Sequence, residues 1–96
     1  MRVLVDSNIE VSGVFKPPME VELEDPNPTL RTLLEKFSGI CRGIEFINPE
    51  SNDLGEDVEE VILNGAKCLL PEHLSICLNE GDEITIKVLI APLGGG

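Results

Sequence analysis

Basic side chains are scarce in this sequence: seven Lys and Arg stand against eighteen Asp and Glu, for a formal net charge of −11. Nucleic acid and anionic membranes both demand a positive footprint, so this balance argues against either as a partner and favours a cationic protein surface. The cysteines Cys41, Cys68 and Cys77 are odd in number and show neither the close-paired spacing of a zinc site nor that of a redox motif. They read as reduced, mostly buried thiols. Consecutive apolar residues never run far enough to span a bilayer, and no basic segment leads into an apolar stretch at the start. The expected compartment is the cytoplasm. Internal repeats and low-complexity segments are also missing, and 96 residues leave room for one small domain with a core of its own.

What is present is an ordered series of short elements. Val3, Leu4 and Val5 form a brief β-rich run, and Met19, Val21 and Leu23 alternate with Glu20, Glu22 and Glu24 in the period of a half-buried strand. Closeness in sequence makes these two an antiparallel pair joined by a long loop through Gly13, Phe15, Pro17 and Pro18. Asn27 offers a cap and Pro28 suits a first helical position, ahead of Leu30, Leu33, Leu34 and Phe37 at i, i+3, i+4 and i+7. Ser38 and Gly39 are expected to close that helix. Residues 40–57 are broken by Gly43, Asn48, Pro49, Asn52 and Gly55 and read as a surface excursion with one short helical turn.

Val58 to Leu63 reads as a strand, Asn64 and Gly65 as a tight hairpin turn, and Ala66 to Leu70 as the return. After a bridge from Pro71 to Leu78, the turn at Glu80, Gly81 and Asp82 opens a last strand in which Ile84, Ile86, Val88 and Ile90 alternate with Thr85, Lys87 and Leu89. One three-turn helix cannot bury its own apolar stripe, so it must pack on the sheet. The sum is an α+β roll in which the helix crossover lets the first and last strands lie side by side and parallel. The domain is taken as 1–93, followed by a glycine tail, 94–96. Because glycines bury little and cost much to order, a mobile tail is expected from about Leu93.

The chain resembles the MoaD/ThiS family of ubiquitin-like β-grasp sulfur carriers, nearest to the small subunit of molybdopterin synthase. The resemblance rests on four pieces in order: the helix from Pro28 to Phe37, the turn at Leu63, Asn64 and Gly65, the turn from Glu80 to Glu83 leading to Ile84, and Gly95 with Gly96 at the end. One departure is the segment Ala91, Pro92, Leu93, where molybdopterin-type members often carry a proline pair. The resemblance implies a β-grasp fold and a carrier that is no enzyme itself. A ubiquitin-activating-type enzyme would use ATP to adenylate the Gly96 carboxylate, and a sulfur donor would then leave a thiocarboxylate. The large subunit of a sulfur-transferring synthase would receive that sulfur, most simply in molybdopterin or tungstopterin synthesis. No cofactor is expected on the carrier.

Glycine crosses backbone regions closed to other residues, so Gly94 and Gly95 suit a channel too narrow for side chains. Leu89, Leu93 and Phe15 are the candidate apolar anchors for the partner, ringed by carboxylates. A nucleophile and base built from His73 and Cys77, four residues apart, is set aside for a partly exposed bridging histidine and a core cysteine. Glu56, Asp57, Glu59 and Glu60 lack the spaced oxygen ligands and glycine of a calcium loop and read as a solvated acidic face. An isolated monomer is expected. Two other functions fit the same elements: a modifier conjugated to lysines, or a carrier serving thiamine synthesis, tRNA thiolation or cysteine synthesis. A plain β-grasp interaction module with inert glycines is the third class.

Overall fold

Five segments of the chain lie side by side in one sheet. The computed structural model describes residues 1–41, 44–48, 50, 53–69 and 72–89. β1 (Arg2–Ser7) pairs antiparallel with β2 (Met19–Glu22) and parallel with the last described strand, Glu83–Val88. Between them in sequence come α1 (Leu30–Ile40), the small hairpin β3 (Ile47–Asn48) and β4 (Asp53–Leu54), then β5 (Val58–Leu63) and β6 (Ala66–Lys67). With Glu83–Val88 as β7, the sheet order is β2-β1-β7-β5-β6, so the last strand is the middle one. This is the α+β arrangement expected, including the parallel β1/β7 pair and the antiparallel β5/β6 hairpin.

One face of the sheet carries Val3, Val5, Val21, Val61, Ile84, Ile86 and Val88, all buried, in one cluster with the helix stripe Leu30, Leu33, Leu34 and Phe37. Each helix side chain in that stripe is fully shielded from solvent. Burial on that scale contributes about 1.5–3 kcal/mol per side chain, which outweighs the weak intrinsic stability of an eleven-residue helix. Phe37 meets the edge of Phe15 at a centroid separation of 5.1 Å and tilts against Phe46 at 5.8 Å.

Both helix boundaries differ from the sequence expectation. Thr29, not Asn27, is the N-cap: its hydroxyl accepts from the Thr32 N–H, and the Thr32 hydroxyl accepts from the Thr29 N–H in a capping box. Pro28 lies outside the helix because its carbonyl accepts from Leu78 N–H, part of a strand-like bridge in which Thr29 pairs with Cys77. At the other end Gly39 stays helical, and Cys41 N–H donates to the Phe37 carbonyl. Among the described residues of the segment 40–57, β3 and β4 pair antiparallel.

The tight turns fall where glycine and asparagine place them. Asn64 and Gly65 adopt φ of 49° and 85°, the left-handed pair that matches the twist of a two-residue hairpin. The Asn64 side chain then ties this turn to the next one, donating to Asp82 and accepting from Glu83 N–H.

Candidate functional site

The parallel pairing of β1 with β7 sends both strands to the same end of the molecule, and the glycine run follows β7 in sequence. The residues expected to carry the chemistry follow that end of β7 in sequence. Leu93, Gly94, Gly95 and Gly96 lie outside the described residues; the last described one is Leu89.

The strand is held on both edges up to that point. On the β1 side, Ser7 Oγ donates to the Ile86 carbonyl at 2.7 Å. Asn8 Nδ2 donates to the Val88 carbonyl at 2.9 Å, and Val88 N–H donates to Asn8 Oδ1 at 2.8 Å. On the β5 side, Leu89 N–H donates to the Asp57 carbonyl at 2.7 Å. Asn8 was not singled out in the sequence; an asparagine just past a strand carries no signal that its amide will meet a residue 80 positions on.

The candidate anchors separate. The Leu89 side chain is 55% exposed, since it follows buried Val88 on the opposite face of the sheet. Phe15 is 2% exposed and packed on Phe37, so it is a core residue and leaves the set of candidate docking groups. The physical reason is the bridge between Val11 and Phe15, which closes the loop and turns the ring inward while Val14 faces out, 41% exposed.

His73 and Cys77 do not form a helical pair. The short 3-10 turn ends at Ser75, and His73 Nδ1 accepts the Leu69 N–H at 2.8 Å. Cys77 is exposed, against the expectation of a core thiol, because pairing with Thr29 alternates it outward between half-buried Ile76 and buried Leu78. Cys41 and Cys68 are buried free thiols, and burial raises the pKa of both.

The acidic run is dispersed into separate duties. Asp57 accepts from Glu45 N–H, and Glu60 lies between Lys87 at 3.1 Å and Lys67 at 3.6 Å. Its carboxyl is held below the usual glutamate range, chiefly by the Lys87 hydrogen bond. Among the described residues, no three His, Cys, Asp or Glu are grouped to hold a metal ion, and no helix is long and apolar enough to cross a membrane. A shallow hollow of about 360 Å³ beside Arg2, Leu4, Glu20 and Glu80 lies at the opposite end of the sheet from Leu89.

No protein-family model matches this sequence, and no curated protein does. Among solved structures the chain is similar to the crystal structure of SAMP1 from Haloferax volcanii, with a TM-score of 0.63 and 18% sequence identity over 100% of each chain. Strand order, the parallel central pair and the single grasped helix, together with that full-length likeness, establish the fold as the ubiquitin-like β-grasp.

Proposed function

We propose that this chain is a ubiquitin-like sulfur carrier whose working group is the carboxylate of Gly96. The observation that supports it is the placement of the Gly94, Gly95, Gly96 run a few residues beyond the pinned middle strand of a β-grasp sheet. A carboxylate is a poor electrophile and needs activation first. The Gly96 carboxylate attacks the α-phosphorus of ATP on an E1-type adenylating enzyme, forming an acyl adenylate and releasing pyrophosphate. A sulfide-equivalent donor then adds to the acyl carbon, AMP leaves, and a thiocarboxylate remains.

In this reading the carrier presents its end and the partner supplies the catalysis. The thiocarboxylate passes its sulfur to an acceptor on a synthase, with molybdopterin or tungstopterin synthesis as the preferred pathway. Exposed Leu89, with Leu93, supplies apolar contact near the tail, and the acidic surface steers the chain to a basic docking face.

The test is intact mass after incubation with an E1-type adenylating enzyme of the source organism, ATP and sulfide. The expected product has one oxygen exchanged for sulfur at the carboxyl end. Deleting Gly96, or adding one residue after it, shifts the carboxyl carbon by about 3.3–3.6 Å in an extended chain. Since a misplacement of about 1 Å can cost on the order of a hundredfold, both variants should fail to load while folding normally. Lysine-linked adducts without any thiocarboxylate would identify a modifier instead, and equal loading of the truncated chain would refute the carrier reading.

A further inference from the structure

Asn8 is an exposed residue with an uncommon arrangement of bonds. Both polar atoms of its side-chain amide engage the backbone of one distant residue, Val88, at 2.8 and 2.9 Å. The named pairing of β1 with β7 ends at Ser7 and Ile86. The amide therefore takes over where the neighbouring strand stops, supplying from one side chain the donor and the acceptor that two further residues of a parallel strand would have supplied. Each of these part-buried bonds contributes about 0.5–1.5 kcal/mol to stability. What the amide adds beyond that is geometry at the last point where β7 is held on its β1 edge.

We propose that Asn8 is a positioning residue for the reactive carboxyl end: by clipping Val88 it fixes the position and direction of the backbone at the last held point before the residues that carry that end. The inference rests on the carrier reading. With Val88 clipped and Leu89 N–H bonded to Asp57, seven residues, 90–96, follow the held backbone in sequence, Gly96 being the seventh. Their contour cannot exceed about 23–25 Å, whatever path they take. A carboxyl end that reacts while threaded requires every residue between the held point and the reacting carbon to be ordered. Release of the clip leaves Val88 and Leu89 held on the β5 edge alone, by the pairing with Val58 and by the Asp57 carbonyl, and any opening of that single edge adds both residues to the set. Ordering even one further residue lowers the probability of the reactive arrangement by about fivefold or more. Ser7 Oγ on the Ile86 carbonyl still holds the strand upstream, so release stops there and the core is left intact.

Three variants test this. In free Asn8→Ala protein, amide exchange at Val88 should quicken by about tenfold relative to wild type, with exchange in α1 unchanged. In loading assays with the E1-type enzyme that loads the wild-type chain, kcat should fall on the order of tenfold while KM for the chain moves less than twofold. Asn8→Asp keeps an acceptor for Val88 N–H but loses the donor to its carbonyl, and should fall between the two. Asn64→Gly is the control at the far end: it loses comparable side-chain bonds, to Asp82 and Glu83, and should lower stability without changing kcat.

Wild-type kcat in Asn8→Ala, or an equal loss in Asn64→Gly, overturns the positioning role and leaves the carrier reading standing. Unchanged Val88 exchange overturns the clip itself. If the wild type does not load at all, the carrier reading fails and this inference fails with it.

Discussion

Gly55 occupies a place that no other residue fits: a Cβ built on it would fall on the backbone carbonyl of Glu45, in the segment where Gly55 N–H donates to the Phe46 carbonyl. The obstacle is backbone, which cannot swing aside, so Gly55→Ala should destabilise the fold by about 2 kcal/mol or more, measured by urea denaturation. Thiol reactivity gives a second prediction. Burial shields Cys41 and Cys68 and disfavours their thiolates, while Cys77 is open to solvent. Brief alkylation of the native protein, followed by peptide mass analysis, should modify Cys77 alone, and the other two only after denaturation. Glu60 sets a pH dependence: its folded pKa is depressed, so its contribution is present above the unfolded glutamate pKa and is lost as pH falls through the lower folded value. An NMR titration should find the Glu60 midpoint below the ordinary glutamate value, and Lys87→Ala should raise it.

The helix shows how far periodicity reaches. Its four buried residues were legible because a spacing of three and four is the spacing of one helix face, and packing on the sheet enforces it. Its ends were less legible. Asn27 and Pro28 carry the usual start signals, yet the backbone there is engaged by residues 76–78, a long-range pairing that local rules do not contain. The same pairing exposes Cys77. Phe15 was misjudged for a related reason: a lone aromatic in an irregular loop has no period to say which way it faces, and the Val11 bridge decides it. The Asn64 and Gly65 turn was fully legible, since left-handed backbone at two successive positions selects few residues. At this scale, Thr29→Ala should cost about 1 kcal/mol through loss of the cap, and Leu34→Ala about 2–5 kcal/mol through the cavity it leaves. Thermal and urea unfolding of the two variants would check that order.

Across the whole molecule, a formal charge of −11 makes self-repulsion the dominant electrostatic effect, against a few exposed ion pairs of small individual worth. Raising salt from about 0.01 M to about 0.15 M shortens the Debye length from about 30 Å to about 8 Å, so the melting temperature should rise. A fall would mean that the ion pairs outweigh the repulsion. The middle position of β7 has a consequence for synthesis. Leu4 finds its partner at Glu83, so the central pair joins the start of the chain to a segment made after every other described element. A growing polypeptide halted before Glu83 would leave β1 and β5 each with one open edge where β7 belongs, a state open to aggregation and to proteolysis. The sheet is completed only once its last strand has left the ribosome, so folding itself discriminates chains that extend through Val88 from shorter abortive ones.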